Sequence, residues 1–397
     1  MNTRHITRSF LIALLAFSIP LVAQNKIDAQ QLEALIDKAK TSHSSAIVIY
    51  HDGRLIKEHY SGIQDTELME CMSVTKSIAS LAIGLCLTQD LLDSVNQPVY
   101  TLFPEWNQGQ KKLITIKHLL NHTSGIQNDP SSSTTQEVYP SPNVVKLALA
   151  AELQDPVGSK FSYNNKATNL ISGIVQKVSG QTIDLFMNKH LFQPLGITNY
   201  QWMKDPAGNP RCMDGFRIAP KDLAKIGQLV LQNGEWNGKQ LIDKAWIHES
   251  THPSQKLAPS YGLLWWVITQ KTTYVIDDEQ LEKLSKFNLP ADFLEKLQQT
   301  KGKYHSRLEF MAMFERVFGA DWKAILRAQM TKHQIQISKK FRGAPDGFAA
   351  NGYLGQYLIV YPEKKLVGVR MILDSDAYDN TTDEFSDFQD MLYKLIH

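Results

Sequence analysis

Two side chains three residues apart carry the first chemical signal. Ser73-Val74-Thr75-Lys76 opens the apolar stretch Ser77–Thr88. On a helix, residues i and i+3 share a face, so the hydroxyl and the amine meet. Burial and the positive end of a helix both disfavour the charged ammonium. A lysine there is placed to act as a base beside a serine nucleophile. The bland alternative is an N-cap serine followed by a surface lysine, since serine is a favoured cap.

Two further groups of residues fit the same chemistry. Phe161-Ser-Tyr163-Asn-Asn165 offers a phenol and an amide two residues apart, both able to aim into a cleft. A phenol beside an ammonium is pushed toward phenolate and can relay protons. Ala349-Ala350-Asn351-Gly352-Tyr353-Leu354-Gly355-Gln356 leads into a strand. Its glycines let a substrate lie close to an edge-strand backbone. One N–H from such a strand, with that of Ser73, would make a two-donor oxyanion hole. Tyr378-Asp-Asn380 repeats the Tyr-x-Asn spacing but follows the last strand and is discounted.

The elements that must position these groups can be read from periodicity and turn residues. Ala46–Tyr50 and Leu55–Tyr60 flank an Asp52-Gly53 turn and read as a hairpin. Gly355–Tyr361 and Leu366–Leu373 flank a second turn, and Tyr261–Val267 reads as another strand. Helical spacing runs through Ser77–Thr88, Ala167–Val178, Pro220–Gln232 and Glu384–Ile396. Asn128–Pro142, rich in Ser, Thr and Pro, reads as a loop. The fold expected is mixed α and β: one antiparallel sheet built from both ends of the chain and flanked by helices, with a mainly helical part between. The sheet part would hold residues 24–70 and 253–397, and the helical part 71–252. Residues 277–342 read as a helical insertion, either a packing embellishment or a lid that shapes the substrate site. It includes a Ser306-x-x-Glu309 capping box.

Composition narrows the function classes. The 397 residues carry 42 Lys+Arg and 40 Asp+Glu, and the excess of two lies in Arg4 and Arg8. The rest is balanced, which excludes the strong basic excess of a nucleic-acid binder. Residues 1–23 join a basic start to the apolar run Phe10–Phe17 and read as a cleaved export signal, giving a periplasmic or secreted protein. No later stretch is apolar for the ~20 residues of a membrane span, so none is expected in the mature protein. Three cysteines are too few for a disulfide scaffold; Cys71 and Cys86 could pair, but spacing alone leaves that open. His118 and His122 stand four apart without the glutamate of a zinc-protease helix, and they read as structural. No Gly-x-Ser-x-Gly elbow is present. The Trp265-Trp266 pair reads as packing in the sheet core, with a pocket-lining role as the alternative.

The order Ser-x-x-Lys, Tyr-x-Asn and a glycine-containing strand resembles the penicillin-recognising serine hydrolases. These include class C β-lactamases, D,D-carboxypeptidases, EstB-type esterases and 6-aminohexanoate-dimer hydrolases. The likeness extends to Ile114–Gly125, Pro156–Tyr163, Pro194–Ile197 and Ile218–Gly227, covering roughly 45–270 and 346–373. The resemblance implies Ser73 as acyl-forming nucleophile, Lys76 as its base and Tyr163 as second proton-transfer group. It implies that Asn165 positions substrate or Lys76, and that Gly352 and the Tyr353 N–H serve the oxyanion site. It implies no metal or organic cofactor and a small-molecule ester or amide substrate. One departure stands out: Ala350-Asn351-Gly352 replaces the usual Lys-Thr-Gly or His-x-Gly, so the motif cation is missing. That form is more similar to the 6-aminohexanoate-dimer hydrolase branch. A β-lactamase or D,D-carboxypeptidase is the rival reading, and a non-catalytic ligand-binding protein on the same fold the third.

Overall fold

A computed structural model describes residues 27–129, 132–330, 336–375 and 377–396. The export signal expected at 1–23 lies outside the described residues. The main sheet has six antiparallel strands: β1 (Ala46–His51), β2 (Arg54–Tyr60), β3 (Trp266–Ile268), β4 (Gly347–Gly352), β5 (Gln356–Tyr361) and β6 (Leu366–Met371). Their order is β2-β1-β6-β5-β4-β3, so the two ends of the chain meet at the β1–β6 pair, with Ala46 opposite Met371.

Both faces of this sheet are covered, and the alternation along its strands sorts the side chains between them. Ala46, Val48, Ala350, Leu358, Val367 and Val369 enter the larger core. That core holds α2 (Val74–Thr88), α3 (Asn165–Ser179) and α4 (Pro220–Leu231). Ile47, Ile49, Ala349 and Ile359 point the other way, against α1 (Ala29–Thr41) and α5 (Phe388–Tyr393). Every residue of α2 from Val74 to Cys86 is buried, as befits a helix through the middle of the molecule.

The insertion is more than helices. Helices Asp278–Ser285, Ala291–Gln298, Arg307–Phe318 and Trp322–Met330 accompany a three-stranded sheet of its own, ordered Gly302–Tyr304, Thr272–Ile276, Lys339–Arg342. Leu281, Leu284, Phe293, Leu297 and Phe314 give it a separate core. The helical insertion read at 277–342 thus also contains two short strands and shares its sheet with Thr272–Ile276 just before it; strands this short lack the long apolar alternation that marks a strand in sequence.

Three other boundaries differ from the sequence reading. The strand expected at Tyr261–Val267 is confined to Trp266–Ile268. Leu264 has φ 64°, and the Leu263 and Leu264 carbonyls accept from the Ser80 and Ser77 hydroxyls of α2 instead of a ladder. The last helix starts only at Phe388, because Phe385 adopts φ 46°. The loop expected at Asn128–Pro142 contains a π-helical turn at Ser133–Val138. Cys71, Cys86 and Cys212 are buried and free.

Candidate active site

Ser73 occupies the N-cap position of α2, yet its side chain makes no capping bond. Its Oγ accepts instead from Lys76 Nζ at 3.0 Å. Lys76 is only 2% exposed and also donates to the Met213 carbonyl at 2.8 Å. Among the described residues no carboxylate lies within ion-pair distance of it. The surface lysine of the bland reading is absent: one helical turn puts amine and hydroxyl together inside the protein.

The Met213 carbonyl is aimed by α3. Asn169 Oδ1 accepts from the N–H groups of both Cys212 (2.9 Å) and Met213 (3.1 Å). Next along the chain, Asp214 pairs with Arg211 at 3.0 Å and accepts from the Tyr139 hydroxyl at 2.9 Å. Burial, then the charge of Asp214, raises the Tyr139 hydroxyl to about 12. The same two causes raise the carboxyl of Glu70, whose Oε1 accepts from Gly215 N–H.

Tyr163 reaches this pair from 87 residues downstream. Lys76 Nζ lies 4.9 Å from the centre of the Tyr163 ring, within cation–π range. The ring is wedged among aromatic neighbours: His122 at 4.6 Å, and Tyr261 and Trp266 each at 6.3 Å between centroids. His122 Nδ1 accepts from Asn164 N–H at 3.2 Å, so Nε2 carries the proton and donates to Tyr261 Oη at 3.2 Å. Full burial, then the Lys76 charge, lowers His122 from 6.5 to about 3, which keeps it neutral. Burial, then Tyr163, pushes the Tyr261 hydroxyl well above its ordinary value.

Asn165, the first residue of α3, turns its amide nitrogen to Thr134 Oγ1 at 2.7 Å. Its Oδ1 is buried with no hydrogen-bond partner among the described residues. Asn128 Nδ2 donates to the Tyr163 carbonyl, and Lys166 pairs with Glu137 at 2.8 Å. Asn128, Thr134 and Glu137 are thereby tied to both sides of the Tyr-x-Asn motif.

The third motif forms the opposite wall. β3 pairs only with Gly347–Ala349, so Ala350–Gly352 run on past it at the edge of the sheet. A Cβ on Gly352 would stand 2.5 Å from the Cys71 carbonyl oxygen, a clash with backbone two residues before Ser73. Only glycine permits that approach. Tyr353 follows and is exposed. Ala350, at the place of the missing cation, is fully buried in the main core. On the other side of this edge, a cavity of about 290 Å³ is lined by Asn351, Gly352, Tyr357, Glu384 and the insertion's Arg307.

The structure thus brings Ser73, Lys76 and Tyr163 together, with Gly352 beside the segment that carries Ser73. Sequence reasoning missed Asn169 and the Met213 carbonyl, which bear no motif of their own. It assigned Trp266 to the core with Trp265. Trp265 is fully buried against Phe348, whereas Trp266 is half-buried, packing against the core of the sheet's other face while its ring stacks on Tyr163. Alternation along a strand was the available signal.

With this geometry in place, the chain can be compared with known proteins. The Beta-lactamase family model matches residues 31–384, and the chain belongs to that family of serine hydrolases. It is 29% identical over 206 residues to protein flp of Staphylococcus aureus (strain MW2), a match covering 45% of this chain and 41% of that protein. The match therefore spans only about two fifths of that relative's length. Among solved structures it is similar to a protein assigned as a 6-aminohexanoate-dimer hydrolase from Bacillus anthracis. The TM-score is 0.60 at 18% identity, covering 91% of this chain and 82% of that one. A penicillin-binding protein homolog from Caulobacter crescentus gives 0.57 at 14%, covering 94% and 99%. At such identities the likeness is one of fold: the β-lactamase/transpeptidase architecture.

Proposed function

We propose that the protein hydrolyses a small ester or amide through an acyl-enzyme on Ser73. Lys76 Nζ accepts the hydroxyl proton as Ser73 Oγ attacks the carbonyl carbon. The oxyanion that forms is held by the N–H groups of Ser73 and Tyr353. Tyr163 passes a proton to the leaving oxygen or nitrogen, whose bond to carbon then breaks. Water repeats the sequence in reverse, releasing the acid and restoring Ser73. The observation that carries this reading is the 3.0 Å contact between Ser73 Oγ and a Lys76 that is 2% exposed. A buried amine held at a serine hydroxyl has a ready explanation in nucleophile activation.

A small ester or non-peptidoglycan amide, as in the 6-aminohexanoate-dimer hydrolase and esterase branch, is favoured over a β-lactam or peptidoglycan. The support is Ala350, sealed in the core where a carboxylate-binding cation would stand. Export through residues 1–23 belongs to the same proposal and rests on their basic and apolar pattern. The test is a fluorophosphonate adduct followed by intact mass, with hydrolysis of a p-nitrophenyl ester measured alongside. Ser73→Ala is expected to lose the adduct and at least about 10³-fold in turnover. A wild-type protein that neither labels nor turns over ester would instead mark a silent binder, and efficient nitrocefin hydrolysis would restore the β-lactamase reading.

A further inference from the structure

Arg370 lies on β6, away from the Ser73–Lys76 pair, and it is fully buried. A guanidinium in such a place ordinarily faces a carboxylate. Here its N–H groups go to neutral oxygens from three separate parts of the chain. Nε donates to Ser44 Oγ at 2.8 Å. Nη2 donates to the Ser42 carbonyl at 3.1 Å and also to that of Asp383. Nη1 donates to the carbonyls of Leu354 (2.7 Å) and Gly355 (2.9 Å). The nearby Asp383 carboxylate is engaged elsewhere, by His43 Nδ1 at 2.7 Å and by Asp379 N–H at 2.8 Å. Burial lowers the guanidinium to about 10, so it stays charged at neutral pH.

The Nη1 contacts bear on the third motif. Leu354 and Gly355 follow Tyr353 directly, and both adopt left-handed backbone, with φ 66° and 80°. Leucine seldom takes that conformation, because its Cβ crowds the carbonyl, so something must hold it there. A Cβ on Gly355 would meet the Glu384 carbonyl oxygen at 2.4 Å and Arg370 Nη1 at 2.5 Å, so the turn is pressed onto the guanidinium. The planar fork of five donors is rigid and fixes the carbonyls it binds. The Gln356 side chain locks the next residue by exchanging bonds with the backbone of Ile372.

We infer that Arg370 is the positioning residue of the oxyanion site: by gripping the Leu354 and Gly355 carbonyls it sets where the Tyr353 N–H points. It touches no substrate. This rests on the reading of Ser73 as nucleophile and Tyr353 N–H as oxyanion donor. A displaced donor should act on the transition state, and losing one such donor typically slows turnover about 10²–10³-fold.

The experiment compares wild type, Arg370→Lys and Arg370→Ala as full chains, after circular dichroism and thermal melting establish folding. The measurements are kcat and KM on a p-nitrophenyl ester and the rate of fluorophosphonate labelling at Ser73. The expected result for folded Arg370→Lys is a kcat and labelling rate at least about tenfold lower, with KM shifted less than about threefold. Added methylguanidinium should raise kcat of Arg370→Ala severalfold and leave wild type unchanged, which a purely structural role would not produce. Wild-type kcat and labelling in folded Arg370→Lys, or a defect confined to KM, would overturn the inference while leaving Ser73 as nucleophile. No Ser73 adduct on wild type would remove the parent reading and the positioning role with it. Should neither Arg370 variant fold, Ser44→Ala decides, since it removes the Nε acceptor and a hydroxyl contact to Ser42 while leaving the guanidinium and its Nη1 acceptors in place: lowered kcat supports the clamp and unchanged kcat rejects it.

Discussion

On one wall of the site, Ser73 and Lys76 stand a single helical turn apart on α2, a helix buried from Val74 to Cys86. On the other, Gly352 ends β4 where it runs on past β3, and Tyr353 leads into a left-handed turn gripped from β6 by Arg370. The first wall is made by local periodicity; a helix that forms at all delivers the amine to the hydroxyl. The second exists only because residues 42–44, 354–355, 370 and 383 converge. The comparison teaches that the hydroxyl and amine proposed to react are placed by short-range structure, whereas the surroundings that would hold the charge of the transition state are placed by long-range structure.

That contrast can be broken by substitution. Lys76→Met removes the amine but keeps an apolar side chain in its place, and turnover of an ester should fall about 10²–10⁴-fold with the melt little changed. Steady-state kinetics on folded protein would show it, and retention of even a tenth of the activity would separate the helix wall from the chemistry. Gly352→Ala places a methyl against the Cys71 carbonyl, 2.5 Å away, and should cost about 10²–10³-fold by moving the edge strand off the Ser73 segment. Activity equal to wild type would mean that the two walls need not touch.

A smaller effect is expected from His122, behind Tyr163. Its folded value of about 3 lies below the ordinary 6.5. Protonation therefore favours the unfolded chain, and the contribution to stability is complete above pH 6.5 and lost as pH falls from 6.5 toward 3. The loss is on the order of 1.4 kcal/mol per pH unit in that window. Urea titrations at pH 7 and pH 5 should show wild type weakening more than His122→Gln; equal slopes would reject a neutral buried imidazole.

The smallest change in turnover belongs to the insertion. Phe314→Ala, in its separate core, should cost about 3–5 kcal/mol in local stability. It should leave kcat within about twofold, since the insertion's core is separate from the main one and local unfolding there is expected to leave the main core intact. Limited proteolysis with ester kinetics tests this, and a parallel fall in kcat would show that the insertion shapes the site, as its Arg307 beside Asn351 and Gly352 allows.

Much of the frame was legible in advance. Strands at both ends, the helices of the middle and the order of the three motifs all follow from periodicity, turn residues and family resemblance. What escaped had a physical reason in each case. Tyr261–Val267 looked like a strand, but its carbonyls were claimed by hydroxyls on α2. Asn128–Pro142 read as a loop, but Lys166–Glu137 and Asn165–Thr134 pin a π-helical turn within it at Ser133–Val138. The strands of the insertion are three to five residues long, too short to announce themselves. Trp265 and Trp266 were read as one core pair, whereas they pack against different cores and Trp266 also stacks on Tyr163.

The sequence by itself determined which groups could react: a hydroxyl and an amine at helical spacing, a downstream phenol, and a glycine-containing stretch that a substrate could approach. Those are matters of residue type and of distance along a helix. Only the tertiary structure decided that Lys76 is buried at Ser73 with the Met213 carbonyl as its second acceptor, that Tyr163 is wedged over it, and that Arg370 holds the turn after Tyr353. The reason is that burial and hydrogen-bond satisfaction depend on partners tens to hundreds of residues away, which no local spacing can specify.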